Sequence, residues 1–519
     1  MNVLVLSLTR FGDLLQTQPV FSGLKAQGHS TGLVCLENFA GAAVLLRDLD
    51  QTLPLRGARF LANLERGDWR GSLGALGGFL DEVRRTFPPD LLVNLTPSLS
   101  ARLLVRALGA PEVRGFCVDP FGFNDDTSDW AAFLQLASTQ RGQSPFNVVD
   151  LFRRAAGLTA PGTPLDLLPP SDQDRAWARD LLRSLEPAGG AKGYAAFQLG
   201  ASEDRRRWPV EHFAELGARL WQEQGRLPVL LGSAQEQGLA ERFRQAAPDL
   251  PCADLTGRTN LGQLAAALSC CDVLVTNDTG TMHLAAGLGL PLAAIFLATA
   301  QPVDTGPYRP GCLCLEPDLD CHPCAFGQDC GRGEECRRTV SVEAVLACVQ
   351  GLLEPGRGLG KTPGARVWRT VLDGEGFLDL EPLSGHGDTD RIRWLTAQRR
   401  CYRRFLDGLD PEPWTGPCPL TEPAAAASTR AALEKAAGLL QLLEQQLLLL
   451  QRDPRQTLKA KFLTNCRLLQ GILGDEPRLS VLGALWLFQS QQAARELPAL
   501  DRLIRRFGLL VRSLQTLFP

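Results

Sequence analysis

The chain has 519 residues, 45% of them apolar and 21% charged, with a formal net charge of −3 and 15 cysteines. That length exceeds what one hydrophobic core holds, so two or three domains are expected. The charge balance gives no pull toward nucleic acid, and no apolar run is long and charge-free enough to span a bilayer.

Met1 to Leu8 is apolar but lacks a basic n-region and a small-residue cleavage site, and Arg10 and Asp13 interrupt it early. It reads as a first strand, residues 2–8, rather than a signal peptide. The expectation is a cytoplasmic protein whose cysteines are reduced thiols or metal ligands. Thr9 to Asp13 turns the chain into a helix from about Leu14 to Ala26. Strands at 31–36, 91–95 and 113–118 then alternate with helices near 40–46 and 100–108, the pattern of a parallel, doubly wound sheet. Residues 146–157 read as a helix leading out of this first domain, 1–170, which ends in the proline-rich stretch Pro161 to Pro170.

A helix over 172–185 opens a second domain, 171–355. Its strands are predicted at 194–198, 228–231, 252–255, 273–276 and 292–296, with helices near 210–223, 236–246, 261–268, 281–288 and 341–353. Residues 356–364 are a Gly- and Pro-rich linker, 367–383 a hairpin around Asp373-Gly374, and 391–409 a basic helix; together 356–423 form a connecting region. Three helical stretches, 424–451, 455–473 and 479–517, close the chain as an α-helical extension, 424–519. Leu433, Leu440, Leu443, Leu447 and Leu450 recur there at near-helical spacing, which predicts a bundle core.

The most informative stretch runs from Val273 to Pro291. A buried strand, the turn Asp278-Thr279-Gly280 and a helix start make an anion site, because the first helical N–H groups lack partners and the dipole is positive there. Gly280 admits close approach, Thr279 and Thr281 add hydroxyls, and His283 lies in the first turn. An ordinary corner capped by Asp278 is the plainer alternative. Two further clusters follow strands. Gly200 and Ser202 precede Arg205, Arg206 and Arg207, whose guanidiniums suit phosphate oxygens. Gly232 to Glu236 places an acid at the next strand end, and the loop 258–261 is a weaker candidate for the floor of a nucleotide base. In the first domain, Gly12-Asp13 lies at the cleft edge, where Asp13 is either a helix cap or a catalytic carboxylate. Cys321, Cys324, Cys330 and Cys336 have a spacing that can close a tetrahedral zinc site; an iron–sulfur cluster and unligated thiols stay open.

Asp278-Thr279-Gly280-Thr281-Met282-His283, the approach Asp254 to Leu261 and the Gly12-Asp13 pair resemble the ADP-heptose:lipopolysaccharide heptosyltransferases, glycosyltransferase family nine. The resemblance covers most of residues 1 to ~350. It implies an α/β fold of GT-B architecture, two Rossmann-like domains facing a cleft. It also implies an inverting transfer of heptose from ADP-L-glycero-β-D-manno-heptose to a lipopolysaccharide core or related glycan. Asp13 would be the base, with Gly12 beside it. Gly200, Ser202, Arg206, Asp278, Thr279, Gly280 and His283 would hold the diphosphate, and Glu236 the ribose. Arg206 stands where the family's Lys-x-Trp-Pro pattern has lysine. No catalytic cofactor is required, any zinc being structural. The partners implied are the nucleotide sugar and a lipid-linked glycan, with peripheral contact at the inner membrane face and no nucleic acid. Rival readings are another nucleotide sugar with a surface-polysaccharide or protein acceptor, and a non-catalytic scaffold acting through its helical extension.

Overall fold

The computed structural model describes residues 1–139, 143–354, 356–410, 412–493 and 496–518. Residue 355, the expected end of the second domain, and residues 494–495, inside the last expected helix, lie outside the described residues. The chain forms two units, one of residues 1–124 and 147–386, the other of 125–146 and 387–519.

The first unit holds two sheets. Strands β1 (Asn2–Ser7), β2 (Ser30–Leu36), β3 (Gln51–Leu55), β4 (Leu91–Asn94), β5 (Glu112–Val118) and β6 (Asn124–Asp126) take the order β3-β2-β1-β4-β5-β6. Val3, Leu4, Val5 and Leu6 are fully buried, as expected of a parallel strand covered on both faces. β1 pairs with β2 on one side and β4 on the other, both parallel, so the strand order reverses between β1 and β4.

The second sheet consists of β7 (Gly193–Gln198), β8 (Arg226–Leu231), β9 (Ala253–Asp254), β10 (Val273–Asn277), β11 (Leu292–Ile295), β12 (Leu313–Pro317), β13 (Ala365–Leu372) and β14 (Leu378–Pro382). Its order is β14-β13-β12-β11-β10-β7-β8-β9, with the reversal between β7 and β10. β7 through β12 each run parallel to their sheet neighbours among one another, and the hairpin β13–β14 adds antiparallel to β12. The hairpin was grouped with the connecting region on sequence; here it is the outer part of the second sheet, because Ala365 and Val367 bury against the same core as Leu315. Ligands of such sheets collect at the carboxyl ends of the strands beside the reversal. Two Rossmann-like lobes of this kind are the GT-B architecture.

The second unit is helical. Its helices are Asp129–Thr139, Asp390–Leu406, Pro423–Arg452, Gln456–Asp475, Ser480–Ala493 and Leu497–Gln515. The leucine row 433, 440, 443, 447 and 450 is buried, facing the bundle. Phe507 packs edge-on against Phe405 and Trp486 at 5.1 and 5.2 Å. The single helix expected over 479–517 is two helices. Pro498, in the first turn of the second, has no N–H to continue a helix but fits at a start.

Candidate functional site

The expected helix from Leu14 to Ala26 is likewise two: Phe11–Leu15 and Gln18–Ala26. Thr17 Oγ1 donates to Leu14 O at 2.6 Å, and Pro19 opens the second piece. The short first piece directs Phe11, Gly12 and Asp13 at the carboxyl end of β1. Asp13 is half-buried in its first turn, where the helix dipole favours a carboxylate.

Across from it stands the helix Gly280–Leu288, which follows β10. The two helix starts touch. A Cβ on Gly12 would lie 2.8 Å from Gly280 Cα and 3.5 Å from His283 Cδ2. A Cβ on Gly280 would lie 2.4 Å from the Phe11 ring. Both positions require glycine, and the Asp13 backbone is thereby set beside the Asp278–His283 corner.

The cap of this helix is Thr279, not Asp278. Asp278 instead takes a hydrogen-bonded ion pair from Arg206 Nη2 and a hydrogen bond from Thr305 Oγ1 at 3.3 Å. Arg206 also donates through Nη1 to Ser202 Oγ at 3.1 Å. The pair is nearly dry: the side chains are 16% and 7% exposed. Arg206 Nε is buried and has no partner among the described residues. A buried, unpaired donor on a guanidinium is costly unless an acceptor comes to it. The corner therefore presents a fixed cation with a donor to spare, next to a helix N-terminus. Asp278, an acceptor, fixes the direction of that cation.

His283 is buried, and its Nδ1 has no partner among the described residues. Burial pushes its pKa from 6.5 down to about 4, so it is a neutral imidazole at neutral pH and can offer an N–H but no charge. Thr281 Oγ1 donates to Gln198 Oε1 at 3.0 Å, and Thr279 Oγ1 lies 3.2 Å from Thr276 Oγ1. Thr299, in the bend after β11, has a buried hydroxyl without a partner among the described residues. Sequence reading did not select it.

Glu236 closes a capping box: its Oε2 accepts from Ser233 N at 2.6 Å and Ser233 Oγ at 3.0 Å. Its other oxygen faces Gly200, where a Cβ would stand 1.4 Å away. The strand ends β7 and β8 are thus brought together around one carboxylate. The loop 258–261 serves the next helix: Asn260 caps it through Gln263 N at 2.9 Å. A residue missed on sequence is Asn277, fully buried at the end of β10. It accepts from Trp208 N at 2.9 Å and donates to Leu199 O at 3.1 Å and Gly200 O at 3.0 Å. It pins both sides of the Arg206 loop.

Among the described residues no cysteine is joined in a disulfide. Among the described residues no group of three or more His, Cys, Asp or Glu side chains is arranged to hold a metal ion. Cys321 and Cys330 are exposed, Cys324 half-buried and Cys336 buried, so the expected four-sulfur cage is not formed by these side chains as they stand. No helix among the described residues is long and apolar enough to cross a membrane.

Residues 88–330 match the family profile of glycosyltransferase family 9 (heptosyltransferase). Gly12, Asp13 and Cys336 fall outside that span; the residues from Gly200 to His283 fall inside it. The chain is 39% identical over 98 residues to lipooligosaccharide heptosyltransferase 2 of Haemophilus influenzae, 18% of this chain and only 28% of that protein's length. It is 26% identical over 330 residues to lipopolysaccharide heptosyltransferase 1 of Pseudomonas aeruginosa, covering 62% of this chain and 86% of the relative. The structure of Escherichia coli ADP-heptose lipopolysaccharide heptosyltransferase II superposes with a TM-score of 0.50 at 19% identity, covering 68% of this chain and 98% of the other. That likeness is one of fold.

Proposed function

We propose that this chain, a member of glycosyltransferase family 9, is an inverting heptosyltransferase that takes ADP-L-glycero-β-D-manno-heptose as donor and a lipopolysaccharide core or related lipid-linked glycan as acceptor. The observation that carries the reading is the Arg206–Asp278 pair at the start of the helix Gly280–Leu288, in contact with Gly12 and hence beside Asp13. The diphosphate lies against Arg206 and the helix N-terminus, with Ser202, Thr279 and Gly280 around it and the neutral His283 as a hydrogen-bond donor. Glu236 reaches the ribose. Asp13 takes the proton of the acceptor hydroxyl as that oxygen bonds to the anomeric carbon. The bond from the anomeric carbon to the diphosphate oxygen breaks, and ADP leaves with the pair of electrons. Fixed positive groups stabilise the leaving charge, so the step needs no cofactor.

A donor screen by thermal shift and transfer assay tests this. ADP-heptose should stabilise the chain above GDP- and UDP-sugars. Asp13→Asn should keep donor binding and lose about 10²–10⁴-fold in turnover, the range of general-base catalysis. Undiminished transfer by Asp13→Asn overturns the base, and stabilisation by another nucleotide sugar alone overturns the donor.

The acceptor reading places the protein at the cytoplasmic membrane face. Supporting it, the helices Gly57–Glu65 and Trp69–Thr86 expose Leu61, Leu64, Trp69 and Leu73 around their connecting turn, with Arg59, Arg66 and Arg70 exposed among them. Apolar and aromatic tips ringed by guanidiniums suit an anionic bilayer interface. Flotation with phosphatidylglycerol vesicles, lost in Trp69→Glu, is the expected result. A structural zinc on Cys321, Cys324, Cys330 and Cys336 requires those side chains to turn toward one centre; metal analysis of the purified chain decides it, absence of zinc ending the proposal.

A further inference from the structure

The cysteine-rich segment 321–339 follows β12 and takes no part in the reaction proposed above. Yet its hydrogen bonds go to the two loops that frame the phosphate corner. Arg337 Nε donates to Arg207 O at 3.0 Å. Arg205 Nη1 donates to Gln328 O at 2.9 Å. Both chain neighbours of Arg206 are therefore tied to the segment, while Arg206 itself turns the other way to Asp278.

The second loop is the bend after β11. Ala298 sits there at φ 54°, a left-handed conformation unfavourable to a residue with a Cβ. Such a residue persists when its surroundings over-determine it. Here they do, from both sides. Cys324 N donates to Ala298 O at 2.8 Å, and the Cys336 thiol lies on the N–H side of Ala298, whose backbone works against the rise in its pKa caused by burial. His322 Nε2 lies 3.0 Å from Ala300 O, one residue beyond Thr299 with its unpaired hydroxyl. His322 is in turn seated against the buried Glu316 on β12, at 3.4 Å. The segment is thus anchored in the sheet and holds the bend by three successive contacts.

We infer that segment 321–339 is the positioning element of the donor-phosphate corner, and that Arg337, Cys324 and Cys336 set donor affinity without touching the donor. The inference rests on the reading of the Arg206–Asp278 corner as the diphosphate site. A long arginine side chain has considerable rotamer freedom to lose on binding. Holding the Arg207 carbonyl and the Arg205 side chain on either side of Arg206, and the bend carrying Thr299, removes part of that loss before the ligand arrives.

The test is ADP binding by calorimetry on the full chain, with the melting temperature recorded for each variant. Arg337→Ala should raise the Kd for ADP about tenfold or more. The KM for the nucleotide sugar should rise with it, while kcat at saturating donor stays within about threefold of wild type. Arg337→Lys, which can still donate to Arg207 O, should recover part of the affinity. Arg338→Ala, exposed on the same short helix, should change nothing. Should Arg337→Ala fail to fold, Cys336→Ala is measured in its place, and adding Ala298→Gly should return affinity because glycine holds that φ unaided. A folded Arg337→Ala or Cys336→Ala that binds ADP as wild type overturns the inference and leaves the donor site standing. A wild-type chain that binds neither ADP nor another nucleoside diphosphate overturns both.

Discussion

His283 shows how one buried side chain links the site to stability. Its pKa is lowered by burial from 6.5 to about 4. Between those values the unfolded chain binds a proton that the folded chain refuses. Stability from this group is therefore complete above about pH 6.5 and is lost as pH falls toward 4, a difference of roughly 3 kcal/mol. His283→Gln should flatten the dependence of melting temperature on pH across that window, measured against wild type so that the carboxylates cancel. An unchanged profile would mean the imidazole is protonated in the folded state. At this scale much was legible. Asp278, Gly280 and His283 form a spaced pattern, and Arg206 precedes Trp208-Pro209. What a pattern cannot supply is direction. Asp278 looked like a cap, yet Thr279 takes that place and the Asp278 carboxylate faces Arg206 and Thr305, because only the fold brings the loop after β7 against the end of β10. Asn277 carried no signal at all: an asparagine before a turn is ordinary, and its partners lie 69 to 78 residues away.

Among the elements, the contact of two helix starts matters most. Helix Phe11–Leu15 meets helix Gly280–Leu288 with glycine on both sides, so the strand ends of the two lobes approach as closely as backbones allow. The break at Thr17 gives the first helix its own direction, and Pro19 was the readable sign of it. The spacing of apolar residues alone favoured one continuous helix, since both pieces bury the same kind of face. A methyl group at Gly280 would meet the Phe11 ring at 2.4 Å and must push the two helices apart. Misplacement of about 1 Å between reacting groups costs on the order of 100-fold in rate. Gly280→Ala should accordingly fold, because the Arg206–Asp278 pair is untouched, but lose about that much transfer activity even at saturating donor. Wild-type turnover in this variant would show that the contact does not govern the alignment of Asp13 with the donor.

Taken whole, the molecule divides where sequence gave no hint. The alternation of strands and helices placed both sheets, because local periodicity records which faces are buried. It does not record which partner buries them. Residues 125–146 look like part of the first lobe by position, but they fold with 387–518. Trp130 stacks edge-on with Phe146 at 5.1 Å and donates through Nε1 to Asp407 at 2.9 Å. Phe133 meets Tyr402 at 6.1 Å, and Asp129 accepts from Gln489 at 2.6 Å and from Arg506 at 2.5 Å. A chain cut after His386 keeps this insertion and removes the helices its aromatic side chains pack on, exposing Trp130, Ala131, Phe133 and Leu134, all now at most 5% accessible. Each such aromatic or aliphatic side chain is worth about 1.5–3 kcal/mol of burial, so the fragment should associate in solution. Replacing 125–146 in the same fragment with a short Gly-Ser linker should give a monomer by light scattering. If the unmodified fragment 1–386 is itself monomeric and soluble, the insertion does not depend on the helical unit for its burial.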